Sequence, residues 1–272
     1  MHLIPLLFYA AAVAAYLAHF AWRDPRVGRL ATAVMAAGVL AHTFLIGMQT
    51  MRVGHAPLVG TSAAISAFVW LLGLAYLYVE LTTDERAMGM FVSLLMVVLD
   101  IIPALDPGVS PRPEMLRSPL FTLHIISLLF AYASFALACV LGITYVLLFK
   151  EIKAKHLGYF YGRLPSLQVL DRMNGLAVTV GWTFMTAGIA IGGIWATQVH
   201  GVADPRAQAM SLGDPKILFA TVIWAIYAFA LVARKAIGWS GRRAAWLSAL
   251  AFAIVLLNLV PVGYFLTKSH NF

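Results

Sequence analysis

Residues 120–149 read LFTLHIISLLFAYASFALACVLGITYVLLF, thirty positions without a Lys, Arg, Asp or Glu. As a helix this run extends about 45 Å at 1.5 Å per residue, more than the roughly 30 Å hydrocarbon core of a bilayer. It must protrude or tilt. A strand is the poorer reading, because the run is continuous, long and rich in Ala and Leu, with no alternation. Seven further apolar runs lie outward from it: Leu3–Trp22, Leu30–Gln49, Ser62–Leu81, Met88–Leu105, Leu167–Gln198, Ile217–Val232 and Trp246–Leu266. The run at Met88 is short and ends near Pro103 and Pro107. The expected fold is an all-α, polytopic membrane bundle of about eight transmembrane helices.

Composition supports this. The chain is 62% hydrophobic and 11% charged, against about 25% charged in soluble domains. No polar half is left to fold in water, so residues 1–272 read as a single integral membrane domain whose surroundings are the lipid bilayer. The net charge of +8 does not imply a nucleic-acid partner, because the charges punctuate apolar runs and form no basic tract. Cys139 is the one cysteine, which excludes an internal disulfide or a CxxC redox pair. The first run has no basic n-region and no evident cleavage site, so it is expected to stay as a membrane helix. Phosphate-loop, HExxH and CxxCH signatures are absent.

Orientation follows from Lys and Arg. With both termini outside, the inner segments hold 13 of these residues and the outer segments 6. Glu80, Asp84, Glu85 and Arg86 make one inner loop acidic, but acidic residues count little in this rule. Met51–Gly60, Asp106–Pro119, His200–Lys216 and Thr267–Phe272 then form the outer surface. Four of the eight histidines (His55, His124, His200 and His270) lie on or beside it. Two neutral imidazoles on one face of a bundle can ligate a planar iron cofactor from opposite sides, and His124 and His270 are the pair so placed. The plainer alternative makes both of them interfacial residues. His42 lies within the second run, where an ionisable side chain is a functional candidate by default. Its plainer reading is a neutral histidine bonded to a backbone carbonyl of a neighbouring helix. Asp100 is expected to reach the interface. His19 and His156 read as interfacial, and His2 as terminal.

Several segments resemble the CcsA-type cytochrome c assembly family. Leu123-His124 followed by an apolar stretch and Tyr132-Ala133 is similar to the helix that opens with a haem-ligating histidine. Gly54-His55-Ala56-Pro57-Leu58 resembles the family's Gly-His-x-Pro-Leu segment. Leu164-Pro165-Ser166 with Leu170-Asp171-Arg172-Met173-Asn174 resembles its cytoplasmic Leu-Asp-Arg-Leu-Asn helix start. Gly193-Ile194-Trp195-Ala196 resembles the end of the next helix. Asp214-Pro215-Lys216 with Trp224 and Tyr227 resembles the tail of the tryptophan-rich WWD segment. Gly238 to Ala245 matches the last inner loop, and His270 falls at the second external ligand. These matches run collinearly over residues 42–272.

The departures are specific. His200-Gly201 replaces Trp-Gly, Gly213 replaces the Trp before Asp214, and Ile217 replaces a Glu. Gly60 and Ala63 stand where Asn and Glu are expected, and Val232 stands where a transmembrane histidine is expected. The pattern resembles a divergent HemX-like or YpjD-like branch more than a complete haem-ligating synthetase, and it assigns no catalytic residue. The resemblance implies a b-type haem held non-covalently, with His124 and His270 as iron ligands. His55, His200, Trp195, Asp214, Trp224 and Arg117 are candidates for the cofactor surround. His42 is the candidate iron ligand of a second haem site within the membrane, which is not expected to form because Val232 replaces its partner. Arg52, Arg112, Arg206 and Lys216 are further partners for propionates. Trp70 and Phe265 are further candidates to cover the macrocycle.

Each has a plainer reading. Tryptophans form interface belts, external arginines meet headgroups, His55 is a loop residue and Asp214 caps a helix. The implied role is presentation of haem at the outer face of the bacterial cytoplasmic membrane, to apocytochrome c or with a second assembly subunit. A HemX-like regulator of haem synthesis and a small-solute transporter are the competing readings.

Overall fold

The computed structural model describes residues 2–58, 61–106, 118–155, 158, 161–199 and 215–258. Among them are eight helices and no strand: α1 (Leu3–Trp22), α2 (Pro25–Val53), α3 (Thr61–Thr83), α4 (Gly89–Leu105), α5 (Pro119–Lys153), α6 (Leu167–Val199), α7 (Pro215–Ala236) and α8 (Arg242–Leu257). Six of them are long and apolar enough to cross a membrane, and α4 is a shorter apolar helix of 17 residues. The protein is a multi-pass membrane protein.

Local chemistry sets the helix ends. Asp24 caps α2, its carboxylate accepting from the Arg26 N–H at 2.7 Å, and Pro25 takes the first helical position, where no N–H is needed. Ser118 and Pro119 repeat the arrangement at α5, with Leu120 N donating to the Ser118 hydroxyl at 3.2 Å. Gly54 closes α2 at φ 75°, in the left-handed region that glycine occupies without penalty. The expected run Leu30–Gln49 is therefore the middle of a longer helix of 29 residues. The expected 30-residue run at Leu120 becomes a helix of 35 residues, about 52 Å long.

Helices α1/α2, α2/α3, α3/α4, α5/α6 and α6/α7 pack antiparallel. Helices α1 to α4 pack as one group and α5 to α8 as another, joined mainly where α3 lies against α5. The α5–α6 pairing is the most extensive. Its register is fixed by glycines on α6 that receive α5 side chains. A Cβ on Gly181 would sit 2.5 Å from Phe135, one on Gly188 would sit 2.9 Å from Leu128, and one on Gly192 would sit 2.5 Å from His124. Close approach through small residues drives helix association where lipid removes the hydrophobic incentive.

Two sequence expectations are corrected here. Asp100 does not reach an interface: it is 2% exposed, inside the α1–α4 group. Glu80 does not belong to an acidic loop but lies within α3, fully buried. Its Oε2 accepts from the Tyr16 hydroxyl at 2.6 Å, and Thr32 donates to its other oxygen. Leu72, Tyr76 and Glu80, four residues apart, share the buried face of α3.

Candidate functional site

His124 lies five residues into α5, about 8 Å along its axis from the start. Its neighbours come from α6. Gly188, Gly192 and Trp195 follow at intervals of four and three residues, which puts them on one face. The Gly188 carbonyl lies 2.7 Å from His124 Nδ1. A carbonyl only accepts, so Nδ1 carries a proton, and in its neutral form the ring has its lone pair on Nε2. That tautomer, anchored on a backbone acceptor, is what a metal-ligating histidine commonly shows. One turn on, Trp195 packs against Phe121 with ring centroids 5.0 Å apart. Trp195 is 5% exposed and its indole Nε1 has no hydrogen-bond partner among the described residues. A buried N–H left unpaired costs free energy, and an anionic acceptor at this end of the bundle would relieve it. A haem, with an iron that takes imidazole and carboxylates that accept from N–H groups, fits these residues.

The other candidates are distributed differently. His42 sits in the α1–α4 group, about 16 Å from the Val53 end of α2, and is fully buried. Both ring nitrogens are engaged, Nδ1 with the Tyr9 hydroxyl at 3.0 Å and Nε2 with the Ser66 hydroxyl at 2.8 Å. Its partners are side-chain hydroxyls of α1 and α3, where a backbone carbonyl was expected. The ring cannot meet a metal without giving up one of them. His55 follows α2 in the same group, its Nδ1 3.1 Å from the Ala56 carbonyl. Trp224 on α7 donates to the Thr186 hydroxyl at 2.8 Å and stacks on Trp182 at 5.7 Å. Thr186 is two residues from Gly188, about 200° around the helix, so Trp224 packs on the face of α6 turned away from His124. Trp70 likewise donates to Thr43 at 2.8 Å, between α2 and α3. His200, Asp214, Arg117, Arg112, Arg206, Phe265 and His270 lie outside the described residues, as does the side chain of Lys216.

At the opposite end of the bundle the structure gives a reason for the Leu-Asp-Arg-Met-Asn motif. Asp171 Oδ2 meets Arg234 Nη2 at 2.5 Å, and its Oδ1 accepts the Gly241 N–H at 2.8 Å. One carboxylate thus ties the start of α6 to the end of α7 and to the turn before α8. Asn174, three residues on, donates to the Ala138 carbonyl at 2.8 Å and accepts from Ser248 at 3.1 Å, joining α5, α6 and α8. The residues are placed one turn apart so that both face the same junction. The sequence showed the motif, but only the packing shows what it holds.

Comparison with known proteins agrees with this architecture. The profile of the family described as Cytochrome C assembly protein matches residues 3–270. The cytochrome c biogenesis protein CcsA of Trieres chinensis is 24% identical, covering 98% of this chain and 93% of its own length. The CcsA of Guillardia theta is 23% identical over 85% of this chain and 81% of its own. Protein HemX of Brevibacillus brevis is 25% identical over 98% and 96%. With the helix order, the His124 helix and the Asp171 junction on the page, a match over nearly the whole length leads to one conclusion: the chain belongs to the cytochrome c assembly protein family.

Proposed function

We propose that this protein handles haem for cytochrome c biogenesis, holding it non-covalently at the end of the bundle that carries His124. Family membership supports the biogenesis role. The observation that carries the haem reading is the His124 imidazole, oriented by its Nδ1–H donating to Gly188 O at 2.7 Å. His270, assigned by resemblance, would be the second residue to hold the iron. Bound there, b-type haem supplies a low-spin iron whose potential depends on its ligands and the polarity around it. The chain's own residues do the rest. Gly188 orients the imidazole through its carbonyl, and Gly192 leaves room for the ring. Trp195 would offer an indole N–H to a carboxylate, and Arg117, on its place in the sequence, is the candidate guanidinium. His55, and by resemblance His200 and Asp214, are the further polar candidates for the haem surround. We place the His124 end and both termini outside, in the cytoplasmic membrane of a bacterium. An apocytochrome or a second assembly subunit is the recipient.

The test is the absorption spectrum of the purified, haem-supplied protein. Wild type should give a low-spin bis-imidazole spectrum. His124→Ala and His270→Ala should each open a coordination position that added imidazole refills. A wild-type spectrum in the double variant would sink the assignment.

A second reading, regulation of haem synthesis without haem ligation, has the HemX similarity behind it, since 96% of that protein is covered. Stable, monodisperse protein that stays haem-free with haem supplied would favour it. Copurification of a cytosolic enzyme through the basic segment Lys150–Arg172 would then be the next observation.

A further inference from the structure

At the Asp171 end of the bundle a cleft of about 510 Å³ opens between α6 and α7, with Thr82 of α3 on its third side. We propose that this cleft is a binding site for one phospholipid with an anionic headgroup. The cleft is amphipathic along its length. Gln168, Arg172 and Lys235 line its mouth, and Arg172 and Lys235 are exposed. Leu176, Thr179 and Leu231 line its inner part. Between them lies the Asp171–Arg234 pair, at 2.5 Å. Gly175 makes space for it: a Cβ there would sit 2.9 Å from the Arg234 guanidinium.

Charge complementarity selects the headgroup. Three cations line the cleft against one carboxylate, and that carboxylate is committed to Arg234 and to the Gly241 N–H. Arg172 and Lys235 are left to meet an anion. Basic clefts between transmembrane helices near a membrane face are suited to phosphodiester headgroups. Length selects a lipid over a soluble anion. From Gln168 to Thr179 the lining follows α6 for about 16 Å, close to the depth of one leaflet's hydrocarbon layer, about half of 30 Å. A phosphate ion needs only the mouth, whereas a phospholipid places its phosphate at the mouth and an acyl chain along Leu176 and Leu231. The site is separate from His124, which is on α5 and packs against the other end of α6, so it does not depend on the haem reading.

Native mass spectrometry of the detergent-extracted full chain, titrated with dioleoyl phosphatidylglycerol or dioleoyl phosphatidylcholine, tests the proposal. The expected result is preferential retention of one phosphatidylglycerol. Arg172→Gln with Lys235→Gln removes two headgroup cations and should weaken that retention by about thirtyfold, at roughly 1 kcal/mol per cation. It leaves the Asp171–Arg234 junction intact. Thr179→Trp fills the acyl seat without changing charge and should also release the lipid. Equal retention of both lipids would overturn the proposal, as would a phosphatidylglycerol preference that survives both variants. Displacement by millimolar inorganic phosphate would mean that the mouth reads an anion alone, and displacement by haemin in the His124→Ala protein would mean a different occupant. Either would overturn it too.

Discussion

At His124 one backbone carbonyl determines which ring nitrogen can act as a ligand. Gly188 supplies it because α6 approaches α5 through glycines, and Gly192 leaves no room for more than a hydrogen beside the ring. A Gly192→Ala Cβ would lie 2.5 Å from His124 Nδ1 and Cε1. Overpacking of this kind costs about 1–3 kcal/mol. We expect Gly192→Ala to fold with a lowered melting temperature and, under the haem reading, to shift the absorption maxima and the midpoint potential. Unchanged spectra with unchanged stability would show that the ring does not sit against Gly192. His42 is the contrasting residue. Its neighbours Tyr9 and Ser66 satisfy both nitrogens, so His42→Ala should cost about 1–3 kcal/mol through stranded hydroxyls and leave haem content unchanged. Loss of one haem from a two-haem wild type would reverse that view. His124 was legible as a candidate from its position at the head of a long apolar run. The state of its ring was not, because the acceptor is 64 residues away.

At the scale of elements, stability depends on where backbones approach closely. Gly142 of α5 faces the Ala245 carbonyl of α8, and an added Cβ would sit 2.6 Å from that oxygen. A flexible side chain could move aside, but a helix backbone cannot do so cheaply. Gly142→Val should separate α5 from α8 and lower the melting temperature in detergent by more than Gly47→Val, where a Cβ meets nothing within 4 Å. The Asp171 junction gives a second contrast. Asp171→Ala strands Arg234 and the Gly241 N–H and should cost about 2–3 kcal/mol, the range for bonds to charged groups. Both side chains of the ion pair are partly exposed, 25% and 19%, which keeps the Coulombic share modest. Asp171→Asn retains an acceptor for Gly241 and should lose less. Equal melting temperatures for wild type and Asp171→Ala would remove the junction from the account.

At the scale of the molecule, two four-helix groups meet along α3 and α5. Buried titratable groups concentrate in the first group, with Glu80, His42 and Asp100 all at 2% exposure or less. The His124–Trp195 constellation belongs to the second. Orientation is the prediction proper to this scale. The 13-to-6 bias of Lys and Arg predicts both ends outside by the positive-inside rule. A reporter fluorescent only in the cytoplasm, fused after Phe272, should stay dark, while a reporter active only outside should work there. A bright cytoplasmic signal would invert the molecule and move His124 to the inner face.

Helix number, helix type and approximate boundaries were set by the sequence itself, because a bilayer tolerates few alternatives: an apolar run of twenty or more residues must satisfy its own backbone. The same one-dimensional logic marked His124, the Asp171 motif and Gly238–Ala245 as places of interest. What only the tertiary structure decided is which groups meet. Lipid-facing and core-facing positions on these helices are equally apolar, so hydropathy did not foretell that Glu80 and Asp100 turn inward. Nor did it show that Trp224 packs on the far side of α6 from His124, or that Gly188 holds the His124 ring. Those outcomes depend on helix rotation and register, which contacts between distant segments fix and local composition does not.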